Sequence, residues 1–436
     1  MNRPDLAAAL VARRIVAGTI EPAAVTEALV ETGGLRLRRA RPLARQIVRQ
    51  FGGVLRPRWR DVARLLAGNR MFRRQCRGSA AAGAAAPPTM RPAAGAPQQW
   101  PVPPLTTPGE LAAWLRLSPE ELLFLAARWR ERLPSEPRVR HYHYAWHPRR
   151  HGPPRLLEVP KARLKWVQRR ILRGILDHIP PHAAAHGFRR GCNILSYTST
   201  HTGRACVLRM DVQDFFPSLR RGRIVRIFLT AGYPEPVATL LADLCTTATP
   251  AEVLRPLAAP ISARAAQLRV ALRSRHLPQG APTSPALANL CAFGVDARLA
   301  GLARRFGATF TRYADDLLFS GDAGFARSAR RCEVRVGAIL LELGLTVAHR
   351  KTRVLPRSVC QRAAGLVLNE RPGLPRRERD RLKAILTNCV RHGPASQNRA
   401  NLPDFAAHLR GRVAHALATH PASAARLLAL YERIVW

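Results

Sequence analysis

The stretch Thr309-Phe310-Thr311-Arg312-Tyr313-Ala314-Asp315-Asp316-Leu317-Leu318-Phe319-Ser320-Gly321 decides how the rest of the chain is organised. Two β-rich, partly apolar runs flank a Tyr-Ala-Asp-Asp centre, which predicts a β-hairpin with two adjacent carboxylates at its tip. Adjacent like charges repel unless a positive group lies between them. Mg²⁺ meets that need, because it is held by one or two carboxylates together with substrate phosphates. A solvated Asp-Asp turn is the simpler alternative, and the four central residues do not decide between the two interpretations.

Two stretches upstream favour the metal-binding interpretation. Residues 207–218 form an apolar strand that ends in Asp211, followed by a polar and aromatic turn. A carboxylate that closes a strand, far in sequence from a hairpin tip with two carboxylates, is the layout that phosphoryl transfer by two metal ions needs. Residues 277–285 form a Pro- and Gly-rich turn before a helical run. Such a turn lets the backbone approach a nucleotide closely, with Gln279 free to contact sugar or base.

In these three stretches the chain resembles reverse transcriptases, and within them the bacterial retron type. The matching segments are MDVQDFFPS at 210–218, LPQGAPTSP at 277–285 and YADD at 313–316, in the order and spacing of the family. The resemblance implies an α+β fold of the right-hand polymerase type, with fingers, a palm made of an antiparallel sheet plus helices, and a helical thumb. It also implies an RNA-directed DNA polymerase, which is a nucleotidyltransferase.

The resemblance assigns roles to individual residues. Two Mg²⁺ ions would be held by Asp211, Asp315 and Asp316, with the carbonyl group of Val212 as a further ligand. The incoming deoxynucleotide would be contacted by Asp214, Phe215, Phe216, Gln279 and Lys351.

Three of these roles have simpler alternatives. Phe216 is expected to be a steric gate whose ring clashes with a ribose 2′-OH, although plain core packing is expected for one of Phe215 and Phe216. Lys351 is expected to support the primer or the triphosphate electrostatically, against the alternative of simple surface charge. Tyr313 is expected to touch the primer end, with cross-strand packing as its alternative.

Basic residues of the fingers are expected to meet the template backbone or the triphosphate. The candidates are Lys161, Arg163, Lys165, Arg169, Arg189 and Arg190. The family's usual Gly-Arg-Ser is here Gly191-Cys192-Asn193, so Arg189 or Arg190 would substitute for the missing arginine. The His-rich run 141–147 lacks Cys or carboxylates in ligand spacing, which favours a fingers hairpin with residues 155–159 over a metal site. Residues 220–276 are expected to be helices and a variable loop without a chemical role.

At two places the chain departs from sequence signatures that are typical of the retron type. The Asn-Ala-x-x-His signature would fall at residues 197–201, where only His201 remains, and the Val-Thr-Gly triplet is replaced by Ala363-Ala364-Gly365. A group II intron-like or other defence-associated reverse transcriptase is therefore an alternative placement, and an RNA-binding scaffold without activity is the non-enzymatic one.

Composition supports a polyanionic partner. The formal net charge of +43, from 71 Lys and Arg against 28 Asp and Glu, should attract nucleic acid with marked salt dependence. The sequence contains no apolar span long enough to predict a membrane segment. The eight Cys form no CxxC pairs, which fits a reducing cytoplasm. The retron resemblance implies a structured non-coding RNA as template and primer, an RNA–DNA hybrid product, dNTPs as substrates, and a defence effector protein as a further partner.

Four segments are expected along the chain. Residues 1–77 form a basic helical extension, which either grips RNA or a partner protein or simply carries a solvated Arg-rich face. Residues 78–104 form an Ala-, Pro- and Gly-rich linker. The fingers and palm are expected over 105–360, and a thumb with three helices over 361–436.

Overall fold

The protein is described by a computed structural model that covers two compact units, residues 1–88 and 89–436. The described residues are all except 1–7, 10, 13, 17–19, 33–34, 53–57, 79–89, 91–99, 127–138, 150–151 and 258–261. Most of the linker expected over 78–104 therefore lies outside the described residues, as does the centre of the turn between the two strands of the fingers hairpin.

The first unit consists of short helices around an apolar core of its own. After helical residues between 8 and 16 come α1 (Pro22–Glu31), α2 (Leu37–Phe51), α3 (Trp59–Gly68) and α4 (Arg70–Gly78). The apolar side of α2 is fully or almost fully buried and consists of Ala40, Leu43, Ala44, Ile47 and Phe51. This spacing of three and four residues is that of one helix face, so the periodicity of the sequence explains the packing.

The second unit begins with two capped helices and a β-hairpin. Helices α5 (Pro108–Leu115) and α6 (Pro119–Leu125) start at Thr107 and Ser118, whose side-chain oxygens accept hydrogen bonds from backbone N–H groups three residues on. Strands β1 (Tyr142–His147) and β2 (Arg155–Pro160) pair antiparallel, as predicted. Helix α7 (Ala162–Gly174) follows the hairpin directly.

The central sheet has four antiparallel strands in the order β4-β5-β3-β6. These are β3 (Cys206–Asp211), β4 (Ala308–Tyr313), β5 (Asp316–Gly321) and β6 (Arg353–Pro356). The side chains alternate between two faces, so Leu208, Met210 and Phe319 join the main core while Val207 and Leu318 pack beneath Tyr197. The hairpin predicted over residues 309–321 is confirmed.

Helices surround this sheet along the rest of the chain. Their bounds are α8 (Ile194–Ser199), α9 (Phe215–Ser218), α10 (Arg221–Thr230), α11 (Glu235–Cys245), α12 (Ala263–Arg273), α13 (Ser284–Cys291), α14 (Phe293–Arg305) and α15 (Ala323–Glu342). Helices together with antiparallel sheets confirm the expected α+β class. Within the described residues, no single helix is long and apolar enough to cross a membrane; only α13 and α14 pass that test together, across a 49° bend.

The C-terminal segment forms a small helical cluster with its own core. A two-stranded sheet, β7 (Arg362–Ala363) and β8 (Leu366–Val367), leads into α16 (Arg376–His392), α17 (Phe405–Thr419) and α18 (Pro421–Glu432). Leu382, Leu386, Leu409 and Val413 are buried where these helices meet. The three helices expected over 361–436 are thus found, after a short pair of strands.

Candidate active site

The sheet brings the three predicted carboxylates together. Asp211, the last residue of β3, lies directly opposite Asp316, the first residue of β5. Directly opposite residues of an antiparallel pair place their side chains on the same face with Cβ atoms about 5 Å apart. One residue further, the backbone N–H of Val212 donates to the carbonyl oxygen of Asp315 at 2.9 Å. Residues more than one hundred positions apart in sequence therefore meet at one sheet end.

The hairpin tip that carries Asp315 has a strained backbone. Ala314 has a φ of 55°, in the left-handed region that residues with a Cβ disfavour by about 1 kcal/mol. Gly187 lies so close to Ala314 that a Cβ added to this glycine would be 2.8 Å from the Ala314 nitrogen. The neighbouring structure must therefore hold the turn in place.

A buried ion pair supplies that support. Arg312 is 1% exposed and donates to both carboxylate oxygens of Asp296 at 2.7 Å. Its Nη1 also donates to the carbonyl oxygen of Ala314 and to Oδ1 of Asn289, both at 3.1 Å. Asn289 in turn donates to the carbonyl oxygen of Gly187 at 2.8 Å. The guanidinium thus ties the hairpin tip to α13 and α14.

Two of the three carboxylates have a cationic partner within the protein. Lys351 Nζ donates to Asp211 Oδ2 at 2.7 Å, and Arg209 Nη2 donates to Asp316 Oδ1 at 3.0 Å. Burial raises the pKa of Asp211 to about 6, although the hydrogen bond from Lys351 lowers it and Asp315 raises it again. Burial, followed by the charge of Asp316, also raises the pKa of Asp315. Burial together with the neighbouring carboxylates therefore disfavours the charged forms of Asp211 and Asp315.

Two of these three carboxylates are arranged in a way that suits a hard divalent cation. Asp211 and Asp315 line the same cavity, and carboxylate oxygens beside substrate phosphates are the ligands that Mg²⁺ takes. Among the described residues, no three His, Cys, Asp or Glu side chains already stand in metal-binding spacing. Asp316 faces Arg209 and does not line the cavity, so Asp211 and Asp315 are the pair best placed for a cation there.

The cavity beside the carboxylates is lined by four basic side chains and by four acidic ones. It has a volume of about 170 Å³ and is bounded by Phe188, by the segment from Asp211 to Pro217, and by Gln279 and Ala314. Its basic side chains come from three separate parts of the chain and are Arg149 and Arg155 of the β1–β2 hairpin, Arg264 and Lys351. Arg149 and Arg264 converge on Asp214, with nitrogen–oxygen distances of 3.5 Å and 4.0 Å.

The residues expected to contact the nucleotide all line this cavity. Asp214, Phe215, Phe216, Gln279 and Lys351 are among its lining residues. Phe215 is only 4% exposed and belongs to the main core, whereas Phe216 is half-buried beside Phe188. Both rings border the cavity and the core, but Phe216 is the more exposed of the two, and its role as a steric gate stays a prediction.

The turn that carries Gln279 rests on a buried polar network. The carbonyl oxygen of Gln279 accepts from the backbone N–H of Glu158 at 2.8 Å. The Glu158 carboxylate is 2.8 Å from His276 Nε2 and accepts from Thr249 Oγ1 at 2.8 Å. Gly280 has a φ of 130°, and a Cβ there would lie 3.1 Å from the Glu158 carbonyl oxygen. A glycine is required because the turn and strand β2 approach so closely.

The basic residues predicted for the fingers do not line the cavity. Arg163 donates to both carboxylate oxygens of Glu121, at 2.6 and 2.9 Å, and Arg190 lies 3.4 Å from Asp177. Arg169 borders a different cavity of about 500 Å³, together with Trp114 and Trp166. Lys161 precedes α7 as its N-cap, while Lys165 and Arg189 lie outside both cavities. Their roles in nucleic-acid binding remain predictions.

Sequence reasoning missed three of the four cavity cations. Arg149 and Arg155 flank the tip of the predicted β1–β2 hairpin, and this position was the one sequence feature that could have indicated them. Arg264 opens α12, in the segment 220–276 for which no chemical role was expected. His276, in the same segment, is fully buried against Glu158. The expectation of helices there is met, but this segment also lines the candidate site.

Comparison with known proteins identifies the class to which this site belongs. Residues 148–361, which contain the central sheet and the cavity, match the family model described as reverse transcriptase (RNA-dependent DNA polymerase). The chain therefore belongs to the reverse transcriptases.

Individual relatives narrow this class. The retron Mx65 reverse transcriptase of Myxococcus xanthus is 40% identical over 290 residues, which cover 66% of this chain and 64% of that protein. The retron Mx162 reverse transcriptase of the same organism is 35% identical over 65% of this chain and 58% of that relative. The retron Ec86 reverse transcriptase of Escherichia coli is 30% identical over 53% of this chain and 63% of that relative. Within its family, the chain is of the bacterial retron type, and it spans less than two thirds of these relatives' length.

We expect Asp211→Asn to stabilise the metal-free protein. Because the raised pKa means that burial disfavours the charged carboxylate, a neutral amide should raise the free energy of unfolding by about 1 to 3 kcal/mol at pH 8. The gain should shrink as the pH falls from 6 towards 4, since the wild-type group then takes up its proton. Urea unfolding in EDTA measures this, with the exposed Glu342→Gln as control. A variant that is less stable than the wild type at pH 8 would contradict the electrostatic argument.

We expect the pair of Arg312 and Asp296 to act on the hairpin tip beyond its effect on stability. Asp296→Leu alone should cost about 3 to 5 kcal/mol, because it leaves a buried guanidinium unpaired. The double variant Arg312→Met and Asp296→Leu should recover most of that loss, yet it lacks the donor to the Ala314 carbonyl. Urea unfolding and primer extension should therefore diverge, with stability restored and extension still at least tenfold low. Full recovery of both would show that the turn does not depend on Arg312.

Proposed function

We propose that the protein is an RNA-directed DNA polymerase that joins the 3′-OH of a growing DNA strand to the α-phosphate of a dNTP, with pyrophosphate leaving. The observation that supports this best is the register of β3 and β5, which sets Asp211 opposite Asp316 and beside Asp315. The cavity next to them, with its three arginines and one lysine, suits a triphosphate. In this proposal residues 105–360 are the fingers and palm and residues 361–436 the thumb.

In the proposed mechanism the carboxylates would hold two Mg²⁺ ions. Asp211 and Asp315 would bind them directly, with the Val212 carbonyl as a further ligand, and Asp316 would be a weaker or indirect ligand because it faces Arg209 and does not line the cavity. Bound Mg²⁺ would activate the attacking hydroxyl group and offset charge on the leaving pyrophosphate. Lys351 is held beside this centre by Asp211, where it would add positive charge towards the primer or the phosphates.

The arginines of the cavity would bind the triphosphate. Arg149, Arg155 and Arg264 present planar guanidinium groups, which suit phosphate oxygens through paired hydrogen bonds. Asp214 cannot itself approach a triphosphate favourably, but it lies within 4.0 Å of both Arg149 and Arg264. Its role in this proposal is to aim the two arginines into the cavity.

The deoxyribose would be selected by the Phe216 ring. Phe216 extends from α9 towards Phe188 at the cavity wall, where a 2′-OH on the sugar would meet its edge. Gln279 would contact the nucleotide from the turn that Glu158 supports, and Tyr313, which contacts both Phe188 and Tyr197, would lie against the primer end.

The retron type of the relatives supports a narrower role. The chain would copy a cognate structured non-coding RNA, prime from an internal 2′-OH of that RNA, and yield RNA-linked single-stranded DNA. It would act in the cytoplasm in anti-phage defence, together with an effector protein. Co-purification of the chain with its RNA, followed by sequencing of the attached DNA, tests this role.

We expect Asp315→Asn to lower primer extension on poly(rA)–oligo(dT) by at least a thousandfold, because it removes a proposed direct metal ligand. Asp316→Asn should lose less, about ten- to a hundredfold, since its carboxylate is turned to Arg209. The exposed Asp380→Asn on α16 is the matched control and should keep wild-type activity. Undiminished extension by Asp315→Asn would rule out the proposed mechanism.

We expect Phe216→Ala to relax sugar selection, because it removes the ring that would meet a 2′-OH. The ratio of kcat/KM for dCTP to that for CTP should fall at least tenfold on a poly(rG) template. Phe215→Ala, the matched control, should instead cost about 3 to 5 kcal/mol of stability with the ratio unchanged, since its ring is in the core. The opposite pattern would assign the gate to Phe215.

A further inference from the structure

One side of α2 in the first unit carries a row of arginines. Arg38, Arg41, Arg45 and Arg49 recur every three or four residues and are all exposed. They lie opposite the buried side of the helix, and at 1.5 Å per residue they extend over about 17 Å. We call these four residues the arginine stripe.

The protein does not neutralise this stripe. Helix α2 contains no acidic residue, and residues 36–77 hold fourteen arginines and a single carboxylate, Asp61. Asp61 forms its ion pair with Arg64, at 2.9 Å. Within the described part of the first unit, no carboxylate lies within ion-pair distance of the stripe. Its four charges therefore face solvent together.

Folding does not account for the stripe. The core of the unit is made by the other side of α2, so the arginines add no buried apolar contact there. Like charges three or four residues apart destabilise a helix by about 0.2 to 0.5 kcal/mol per pair, which makes about 1 kcal/mol for the three successive pairs. A bound polyanion would offset that repulsion through its own attraction to the arginines.

The surroundings of the stripe favour a phosphate backbone over other anions. Insertion into a membrane needs an apolar helix face, and that of α2 is already buried in its own unit. Protein partners are usually anchored by aromatic or apolar side chains, but beside the stripe lie Gln46 and Gln50, with Leu37 the one large exposed apolar residue of α2. A regular row of guanidinium groups suits a regular row of phosphates.

We propose that the arginine stripe is an RNA-binding site of the first unit, made of residues other than those of the catalytic cavity, and that it holds duplex RNA through its phosphates. It does not read base sequence, because it offers charges in a row and no groups shaped for base edges. The choice of RNA as occupant rests on the proposed function, while binding itself requires no polymerisation.

The test removes the four charges from the full-length chain. Arg38, Arg41, Arg45 and Arg49 are changed together to Gln, and binding of a fluorescent 20-base-pair RNA hairpin is followed by anisotropy between 50 and 300 mM NaCl. The slope of log K against log salt should fall by about 3, because each lost phosphate contact removes about 0.7 to 0.9. Affinity at 100 mM salt should fall at least tenfold.

Two further variants make the result specific. Changing Arg327, Arg330, Arg331 and Arg335 on α15 to Gln removes the same charge from exposed positions elsewhere and should alter the slope by less than 1. Changing the stripe to four Lys should keep the slope near that of the wild type. The Gln variant should melt no lower than the wild type, since repulsion within α2 is relieved.

The outcomes separate this site from the proposed polymerase. The rate of oligo(dT) extension at saturating poly(rA) template should be unchanged in the stripe variant, and a wild-type chain without polymerase activity would overturn the proposed function but not RNA binding. Equal loss in both quadruple Gln variants would overturn the site in favour of a general charge effect. Unchanged RNA binding, or competition by polyglutamate as strong as by RNA, would overturn it too, the latter in favour of an acidic protein partner.

Discussion

The candidate site depends on holding three carboxylates close together, although their mutual repulsion and their burial both disfavour their charged forms. The register of β3 against β5 sets Asp211 opposite Asp316, and burial raises the pKa of Asp211 to about 6. Without substrate, Lys351 and Arg209 offset part of this charge. A cluster that destabilises the folded chain and lies beside a cavity is common where function, rather than folding, determines the residues.

A second layer of interactions holds this arrangement in place. Arg312 and Asp296 form a buried pair whose guanidinium also bonds the strained Ala314, next to the proposed metal ligand Asp315. The network of Glu158, His276 and Thr249 does the same for the Gln279 turn on another side of the cavity. Each costs desolvation, which good hydrogen-bond geometry offsets. The positions of the reacting groups therefore depend on polar contacts made deep in the second unit.

The sequence predicted local elements better than the partners they acquire. The hairpin over residues 309–321 and the β1–β2 pair follow from alternation and turn residues, and the three short motifs identified the family. Arg264 could not be placed in this way, because its position in the cavity arises from packing between segments distant along the chain. Arg312 precedes the two aspartates in the same motif, yet its burial against Asp296 is a tertiary fact that no local pattern encodes.

The most direct test of the account is a structure of the protein with a template–primer hybrid, a dNTP and Mg²⁺, using a primer that lacks its 3′-OH. The account predicts two cations about 2.1 Å from carboxylate oxygens of Asp211 and Asp315, with the triphosphate against Arg149, Arg155 and Arg264. A complex in which Asp211 still bonds Lys351, no cation lies between the two aspartates and the triphosphate binds elsewhere would contradict it.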